Sequence, residues 1–166
     1  MNIENVTVFT DASFCPETKC AGGAFWARGD AERMNSSFPI TGVAQAHEAE
    51  IVAACMAIIQ MSEDPAFGQL LRLGRQTRLV LVIDCLAIRD AFEARIRPST
   101  PIIDQHIARV EALRKEHGFF LKINHVKAHK GKATPRQWVN NWCDKEAKRQ
   151  MREQRGLRSL GVEACL

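Results

Sequence analysis

The segment Thr77–Ile83 constrains the fold of this chain more than any other. After two polar residues it is an unbroken apolar run, and Asp84 follows it directly. A run of this length and composition is typical of a strand that is buried on both faces of a sheet. The segment therefore favours an α/β fold, in which helices cover both faces of the sheet.

Strand and helix signals surround this segment in a definite order. Three predicted strands precede it. The first is β-branched and aromatic, the second contains Phe25 and Trp26, and the turn residues Gly29-Asp30 join the second to an antiparallel third. The spacing of Ile51, Cys55 and Ile58 is that of an amphipathic helix. The predicted strands are residues 6–10, 20–28, 31–39, 77–83 and 119–126. The predicted helices are residues 44–61, 86–96, 101–117 and 138–151.

The element order β-β-β-α-β-α-α-β-α predicts the topology. Right-handed crossovers after the hairpin strands give a mixed five-stranded sheet, with strands one to three antiparallel and strands four and five parallel to the first. Helices then lie on both faces of the sheet. The length of 166 residues suits one domain, which we place at residues 1–151, followed by a basic tail at residues 152–166. Residues 68–76 are predicted to form a loop.

Acidic residues occupy four informative places in this topology. Asp11 and Asp84 each follow a predicted strand, and the expected sheet order puts those strands side by side. Glu50 lies near the start of the first helix, and Asp144 lies in the closing helix. An aspartate after a strand can also be a helix cap or a turn former, and a helical acid can simply face solvent. Spacing alone leaves both interpretations open.

Carboxylates that share a small volume need compensating positive charge. Without it, each raises the pKa of the others. Hard oxygen ligands suit Mg²⁺ or Mn²⁺. Two such ions about 3.5–4 Å apart stabilise both the attacking and the leaving oxygen of a phosphodiester displacement. If Asp11, Glu50, Asp84 and Asp144 converge, they therefore predict a two-metal site.

The segments around these acids resemble the motifs of type 1 ribonuclease H. The first is similar to the strand motif [FVI]-T-D-G-S, and the last to the closing-helix motif N-E-x-x-D-x-x-A. The five segments occur in the family's order on matching predicted elements. They are residues 9–13 (FTDAS), 49–54 (AEIVAA), 82–85 (VIDC), 125–131 (HVKAHKG) and 140–147 (NNWCDKEA). Residues 17–19 and 128–131 resemble the retroviral branch more than the bacterial one.

The resemblance implies a reaction and its cofactors. It implies a ribonuclease H-like fold and an endonuclease that hydrolyses the RNA strand of RNA–DNA hybrids, leaving 5′-phosphate and 3′-hydroxyl ends. Two Mg²⁺ ions, or Mn²⁺, would be held by Asp11, Glu50, Asp84 and Asp144, with no organic cofactor. His129 would lie on a loop beside the metals, where an imidazole suits proton transfer or product release. The alternative for His129 is an ordinary loop histidine.

Several further residues are assigned by the same motifs. Glu48 competes with Glu50 for the metal, but the motif favours Glu50, and Glu48 is expected to interact with the helix N-terminus. Gln45 and His47 stand where family members usually carry amides that contact 2′-hydroxyls, which distinguish RNA from DNA. The predicted nucleic-acid-binding residues are Ser13, Gln45, His47, Lys127, Lys130, Lys132, Arg136 and Asn140.

The chain also departs from the family pattern. The stretch between His129 and Asp144 is longer than usual and carries basic residues, which suggests a flap that grips the substrate. Asn141 replaces the family's common glutamate. Trp138 and Trp142 pack in the core or stack on nucleic acid.

Composition limits the setting of the protein. The net charge of +4 permits a polyanionic partner, and the basic residues crowd toward the C-terminus. No apolar run has the length of a membrane span, and no leader pattern is present, so we expect a cytoplasmic protein without a membrane partner. The six cysteines form no metal-type pattern and are expected to be reduced. The absence of a spare apolar stripe predicts a monomer.

Three functions fit these patterns. The first is a ribonuclease H that cleaves hybrids. The second is a nuclease or resolvase of the same fold that acts on other nucleic acids, which the altered segment 45–48 keeps open. The third is a non-catalytic nucleic-acid-binding module, against which the presence of all four acids argues.

Overall fold

The computed structural model describes residues 3–93, 99–126 and 134–161. Its strands are β1 Glu4–Phe14, β2 Ala21–Arg28, β3 Arg33–Ile40, β4 Thr77–Ile83 and β5 Phe120–His125. Its helices are α1 Ala46–Glu63, α2 Pro65–Arg72, α3 Leu86–Glu93, α4 Pro101–His117 and α5 Pro135–Ser159.

The strands form one five-stranded sheet in the order β3-β2-β1-β4-β5, which confirms the predicted topology. The first three strands are antiparallel, and β4 and β5 run parallel to β1. The apolar segment that constrains the fold is β4, between β1 and β5. Its residues Leu79 and Leu81 are completely buried.

Different helices cover the two faces of the sheet, as predicted. On the first face, α1 packs against β1, β2 and α4. Its residues Ala54 and Ile58 belong with Val8 to the main core. On the second face, α5 packs against β1, β2 and β3. There Cys143 and Ala147, one helical turn apart, are buried with Ala24 in a second, smaller core.

Strand β1 continues beyond its predicted end. It runs through Asp11 to Phe14, because β2 still offers hydrogen-bonding partners there. Pairing between β1 and β4 stops earlier, at Phe9 and Val82. Asp11 therefore lies inside a strand but beyond the last pair with β4. One side of its backbone is left open toward the end of that strand.

The predicted loop at residues 68–76 is wrong over its first half, because α2 occupies residues 65–72. Asp64 caps this helix: its Oδ1 accepts hydrogen bonds at 3.0 Å from the amides of Ala66 and Phe67. Pro65 fills the first helical position, where its missing N–H costs nothing. The Asp64-Pro65 pair is thus a helix-start signal that the sequence already contained.

Helix α5 is longer at both ends than predicted. It begins at Pro135, where Thr134 Oγ1 accepts a hydrogen bond from the Gln137 amide at 3.2 Å. It ends at Ser159, so residues 152–159, predicted to belong to a tail, are helical. Gln154 is buried in this extension. Its amide donates to the Ile40 carbonyl at 3.4 Å and accepts from the Ala21 amide at 3.3 Å, which ties α5 to β3 and β2.

The cysteines of the described residues are all reduced thiols, as expected. Cys15, Cys20, Cys55 and Cys143 are buried, and Cys85 is half-buried. They act as small packing residues. Cys165 lies outside the described residues. Within the described ranges, no helix has the combination of length and apolar character that crossing a bilayer requires.

Candidate metal centre

Asp11 and Asp84 lie side by side because their strands are parallel neighbours. The last pair between β1 and β4, Phe9 with Val82, precedes each aspartate by two residues. Both aspartates line a cavity of about 20 Å³, together with Thr10 and Asn140 among others. Asp11 is half-buried, and its Oδ1 accepts a hydrogen bond from the Ala12 amide at 2.8 Å. Asp84 is exposed.

Glu50 reaches the same place from α1. Burial, followed by the negative charges of Asp11 and Asp84, raises the pKa of Glu50 to about 9. Its Oε2 atom is buried and has no hydrogen-bond partner among the described residues. A buried acceptor without a partner costs roughly 1–3 kcal/mol. This oxygen is therefore placed to receive a proton or a cation.

Asp144 completes the acidic group from α5. Burial, followed by the charges of Asp84 and Asp144, raises the pKa of Asp11 to about 7. Asp144 also pairs with Lys148, Nζ to Oδ1, at 2.7 Å. Lys148 was not predicted as part of the site. Its position one helical turn after Asp144 is the signal that would have found it.

These carboxylates fit divalent cations, although they do not enclose one as they stand. Among the residues that the structure describes, no three His, Cys, Asp or Glu groups converge closely enough to hold an ion. However, Mg²⁺ commonly takes only one or two carboxylates and completes its shell with water and phosphate oxygens. Burial and mutual repulsion raise the pKa of Asp11 and Glu50, and nearby positive charge would relieve the repulsion. The partnerless Glu50 Oε2 is the clearest sign of this fit.

The predicted nucleic-acid-binding residues lie at several distances from the carboxylates. Asn140 lines the same cavity as Asp11 and Asp84. Ser13 lies two residues beyond Asp11 on β1, opposite Gly22. Gln45 and His47 lie at the start of α1. The predictions for Lys127, His129, Lys130 and Lys132 fall outside the described residues.

Arg136 and Trp138, at the start of α5, line a different groove, which Trp26 of β2 also lines. The Trp26 ring contacts the rings of Trp138 and Trp142 edge-on, with centroids 5.2 Å and 5.4 Å away. Trp142 is half-buried against the second core, in agreement with core packing. Trp138 is 57% exposed and shares a groove with Arg136. Its ring therefore remains accessible to a ligand.

Glu48 interacts with the start of α1, as predicted. It is buried, and its Oε2 accepts hydrogen bonds from the Ala44 amide at 2.5 Å and the Gln45 amide at 3.1 Å. These amides precede the first helical turn and have no partner within the helix. The carboxylate of Glu48 is therefore committed to the backbone, whereas Glu50 faces the aspartates.

Glu48→Ala is expected to destabilise the protein by about 2 kcal/mol, because two amides lose their acceptor. Glu48→Gln keeps one acceptor oxygen, so its free energy of unfolding should fall by about half as much. Urea denaturation of both variants and the wild type measures the difference. An alanine variant as stable as the wild type would show that this cap contributes nothing.

Without metal, the wild-type protein should lose stability relative to Glu50→Gln as the pH rises from about 4 to about 9. In the unfolded chain the Glu50 carboxyl ionises near its ordinary pKa of 4.5, but in the folded protein its pKa is about 9. Below both values each state holds the proton. Between the two pKa values only the unfolded state releases the proton, so unfolding becomes more favourable as the pH rises.

Urea denaturation in EDTA at about pH 5 and about pH 8 tests this pH dependence. Between the lower and the higher pH, the free energy of unfolding of Glu50→Gln should rise by on the order of 2–4 kcal/mol relative to that of the wild type. Mg²⁺ should narrow that gap. An equal difference at both pH values would contradict the burial and charge assigned to Glu50.

Comparisons with known proteins agree with this architecture. The ribonuclease H family model matches residues 3–152. Three solved structures share the fold. The LC11 ribonuclease H1, isolated from compost by a metagenomic approach, is 17% identical with a TM-score of 0.66, over 92% of this chain and 98% of that one. The ribonuclease H1 of Halobacterium salinarum is 16% identical with a TM-score of 0.64, over 90% of this chain and 98% of that one. An N-terminal ribonuclease H domain from Mycobacterium tuberculosis is 16% identical with a TM-score of 0.62, over 89% of this chain and 98% of that one.

A second structure of the LC11 enzyme contains an RNA/DNA hybrid. That chain is 15% identical to this one, with a TM-score of 0.64, over 89% of this chain and 97% of that one. At these identities, the solved structures establish the fold alone. The comparison with curated proteins gave no match.

Proposed function

Because the chain belongs to the ribonuclease H family, we propose that it is a divalent-metal-dependent endonuclease that hydrolyses the RNA strand of RNA–DNA hybrids. The products would carry 5′-phosphate and 3′-hydroxyl ends. One observation carries the proposal: half-buried Glu50 has a buried oxygen without a hydrogen-bond partner among the described residues, and burial together with the charges of Asp11 and Asp84 raises its pKa. This arrangement opposes folding unless a cation or a proton occupies it.

Asp11, Glu50, Asp84 and Asp144 are the residues that would hold two Mg²⁺ ions, with Mn²⁺ as a substitute. When bound, such ions supply an activated water and stabilise the leaving oxygen of the phosphodiester. The carboxylates come from four elements of the fold: Asp11 lies in β1, Asp84 directly follows β4, Glu50 lies in α1 and Asp144 lies in α5. Because each lies within a helix or strand or directly after one, the ligand positions are set before the substrate arrives.

Other residues of the chain would orient the substrate. The Asn140 amide, beside Asp11 and Asp84, can donate a hydrogen bond to a phosphate oxygen. The Lys148 ammonium partly neutralises Asp144, which limits repulsion of an incoming phosphate. Gln45 and His47 would approach the 2′-hydroxyls from the start of α1. His129, Lys127, Lys130 and Lys132 keep their predicted roles in proton transfer and phosphate contact.

The proposed substrate is an RNA–DNA hybrid. The family membership and the hybrid bound to the LC11 relative support this choice. A nuclease for other nucleic acids is the second candidate. It is favoured by the segment before Glu50, where Glu48 turns inward to the backbone and only Gln45 and His47 remain to read the sugar.

A panel of end-labelled substrates separates the two candidates. RNA–DNA hybrid, duplex DNA, duplex RNA and both single strands are incubated with the protein and Mg²⁺. We expect cleavage of the RNA strand of the hybrid only, and fragments whose 3′ ends a polymerase can extend. Cleavage of duplex DNA at a comparable rate would favour the second candidate.

A further inference from the structure

The second face of the sheet, which α5 covers only in part, carries a row of five side chains of which three are basic. The row runs across the strands through paired positions: Arg33 opposite Arg28, Arg28 opposite Thr7, Thr7 opposite Val80, and Val80 opposite Lys122. Paired residues point to the same side of a sheet. These side chains therefore share one face, across a width of roughly 19 Å for five strands.

A second row lies next to the first and contains Asn5, Arg78 and Phe120. Arg78 is exposed, and Phe120 is 56% exposed. Phe120 lies directly opposite Arg78, so an aromatic face and a guanidinium are adjacent on the open sheet. We call the two rows together the open-face surface.

The open-face surface continues into a groove beside α5. The groove has a volume of about 550 Å³ and is lined by Arg28, Arg33, Arg136 and the exposed ring of Trp138, among others. The surface thus has an accessible aromatic ring on each side, Trp138 on α5 and Phe120 on β5, with cations between them.

The charge of this surface is one-sided. Neither row contains a carboxylate. In the described part of the chain, no ion pair neutralises Arg28, Arg33, Arg78, Lys122 or Arg136. Asp30 and Glu32 lie in the turn between β2 and β3, at the edge of the surface. Like charges directly opposite on neighbouring strands, as in Arg28 and Arg33, destabilise a sheet. A polyanion would relieve this repulsion.

We propose that the open-face surface is a second nucleic-acid site, which binds a single-stranded polynucleotide. Cations on β2, β3, β4 and β5 can contact several phosphates of one strand, and exposed aromatic rings stack on bases that a duplex would keep paired. The surface lies on the same face as Asp11, and Thr7 precedes Asp11 by four residues, roughly 13 Å along β1. A single strand that extends from a duplex at the metal centre would reach it. The proposal goes beyond the cleavage reaction and stands without it.

Binding of a fluorescein-labelled oligothymidylate of about 12 nucleotides tests the proposal. Anisotropy is measured in EDTA, so that metal-mediated binding at the carboxylates makes no contribution. The triple variant R28S/R78S/K122S should bind about 100-fold more weakly at about 0.1 M salt, and its slope of log affinity against log salt should be smaller by about 2. Phe120→Ser should bind about tenfold more weakly with the slope unchanged. Circular dichroism confirms that each variant is folded.

The triple variant R72S/R109S/K115S is the matched control. These exposed cations lie on α2 and α4, away from the open face, and their loss changes the net charge equally. The control should bind the oligonucleotide about as tightly as the wild type. If both triple variants bound the oligonucleotide equally weakly, net charge alone would explain the loss of affinity, and the proposal would be overturned. Binding to anionic phosphatidylserine vesicles, with no binding to the oligonucleotide, would also overturn it.

Discussion

Asp11→Asn is expected to abolish cleavage while making the metal-free protein more stable. Asparagine keeps the shape of the side chain but removes the charge that a divalent cation would need. The loss of several kcal/mol of transition-state stabilisation corresponds to a rate at least about 1,000-fold lower. At the same time the variant is free of a half-buried carboxylate whose pKa burial and its neighbours raise to about 7.

The free energy of unfolding should rise by about 2–4 kcal/mol in EDTA at about pH 8, and the gain should vanish below about pH 3, where Asp11 is protonated in both the folded and the unfolded state. Asp30→Asn is the matched control, because it removes an exposed carboxylate in the β2–β3 turn. The control should retain full activity and unchanged stability. An Asp11→Asn protein that cleaves hybrids at the wild-type rate would remove Asp11 from the catalytic group.

Gly22→Ala is expected to lower the free energy of unfolding by about 3 kcal/mol and the Tm by about 10 °C. A Cβ at this position would stand 2.6 Å from the Gln150 Cβ and from the Met151 amide nitrogen, and would also meet the Ala147 carbonyl oxygen. Two of these neighbours are helix backbone, which cannot rotate away. Helix α5 would have to move outward.

Because α5 also carries Asp144 and Asn140, the same movement should lower activity. Gly156→Ala is the matched control, since it adds the same methyl group where nothing lies within 4 Å. In the interior of α5 it should stabilise the helix by about 0.5–1 kcal/mol. Urea denaturation of both variants, with cleavage rates alongside, measures the contrast. A Gly22→Ala protein as stable as the wild type would contradict the close packing of α5 on β2.

The sequence predicted the sheet and the candidate acids because their signals are local. A buried strand is visible as an apolar run, and the position of Asp84 directly after Thr77–Ile83 places it at a strand end. Asp11 was harder, because the strand continues to Phe14 through pairing with β2 alone. Such pairing depends on a distant segment, which local residue preferences do not reveal.

Other features escaped the sequence for different physical reasons. The last turns of α5 are rich in charge and lack an apolar stripe, and what fixes them is a polar residue, Gln154, bonded to the backbone of β2 and β3. The open-face surface draws its residues from all five strands, and only the register brings them into rows. Local periodicity cannot reveal a hydrogen bond between residues more than a hundred positions apart, and it cannot reveal the register between strands.

Proton release on metal binding tests the central claim most directly. If Asp11 and Glu50 share divalent cations, titrating Mn²⁺ into the unbuffered protein at about pH 7 should release protons, because the raised pKa values leave Glu50 protonated and Asp11 partly so. The release should saturate, and it should fall sharply in Asp11→Asn and Glu50→Gln but not in Asp30→Asn. A titration without proton release, or one identical in all four proteins, would contradict the metal centre.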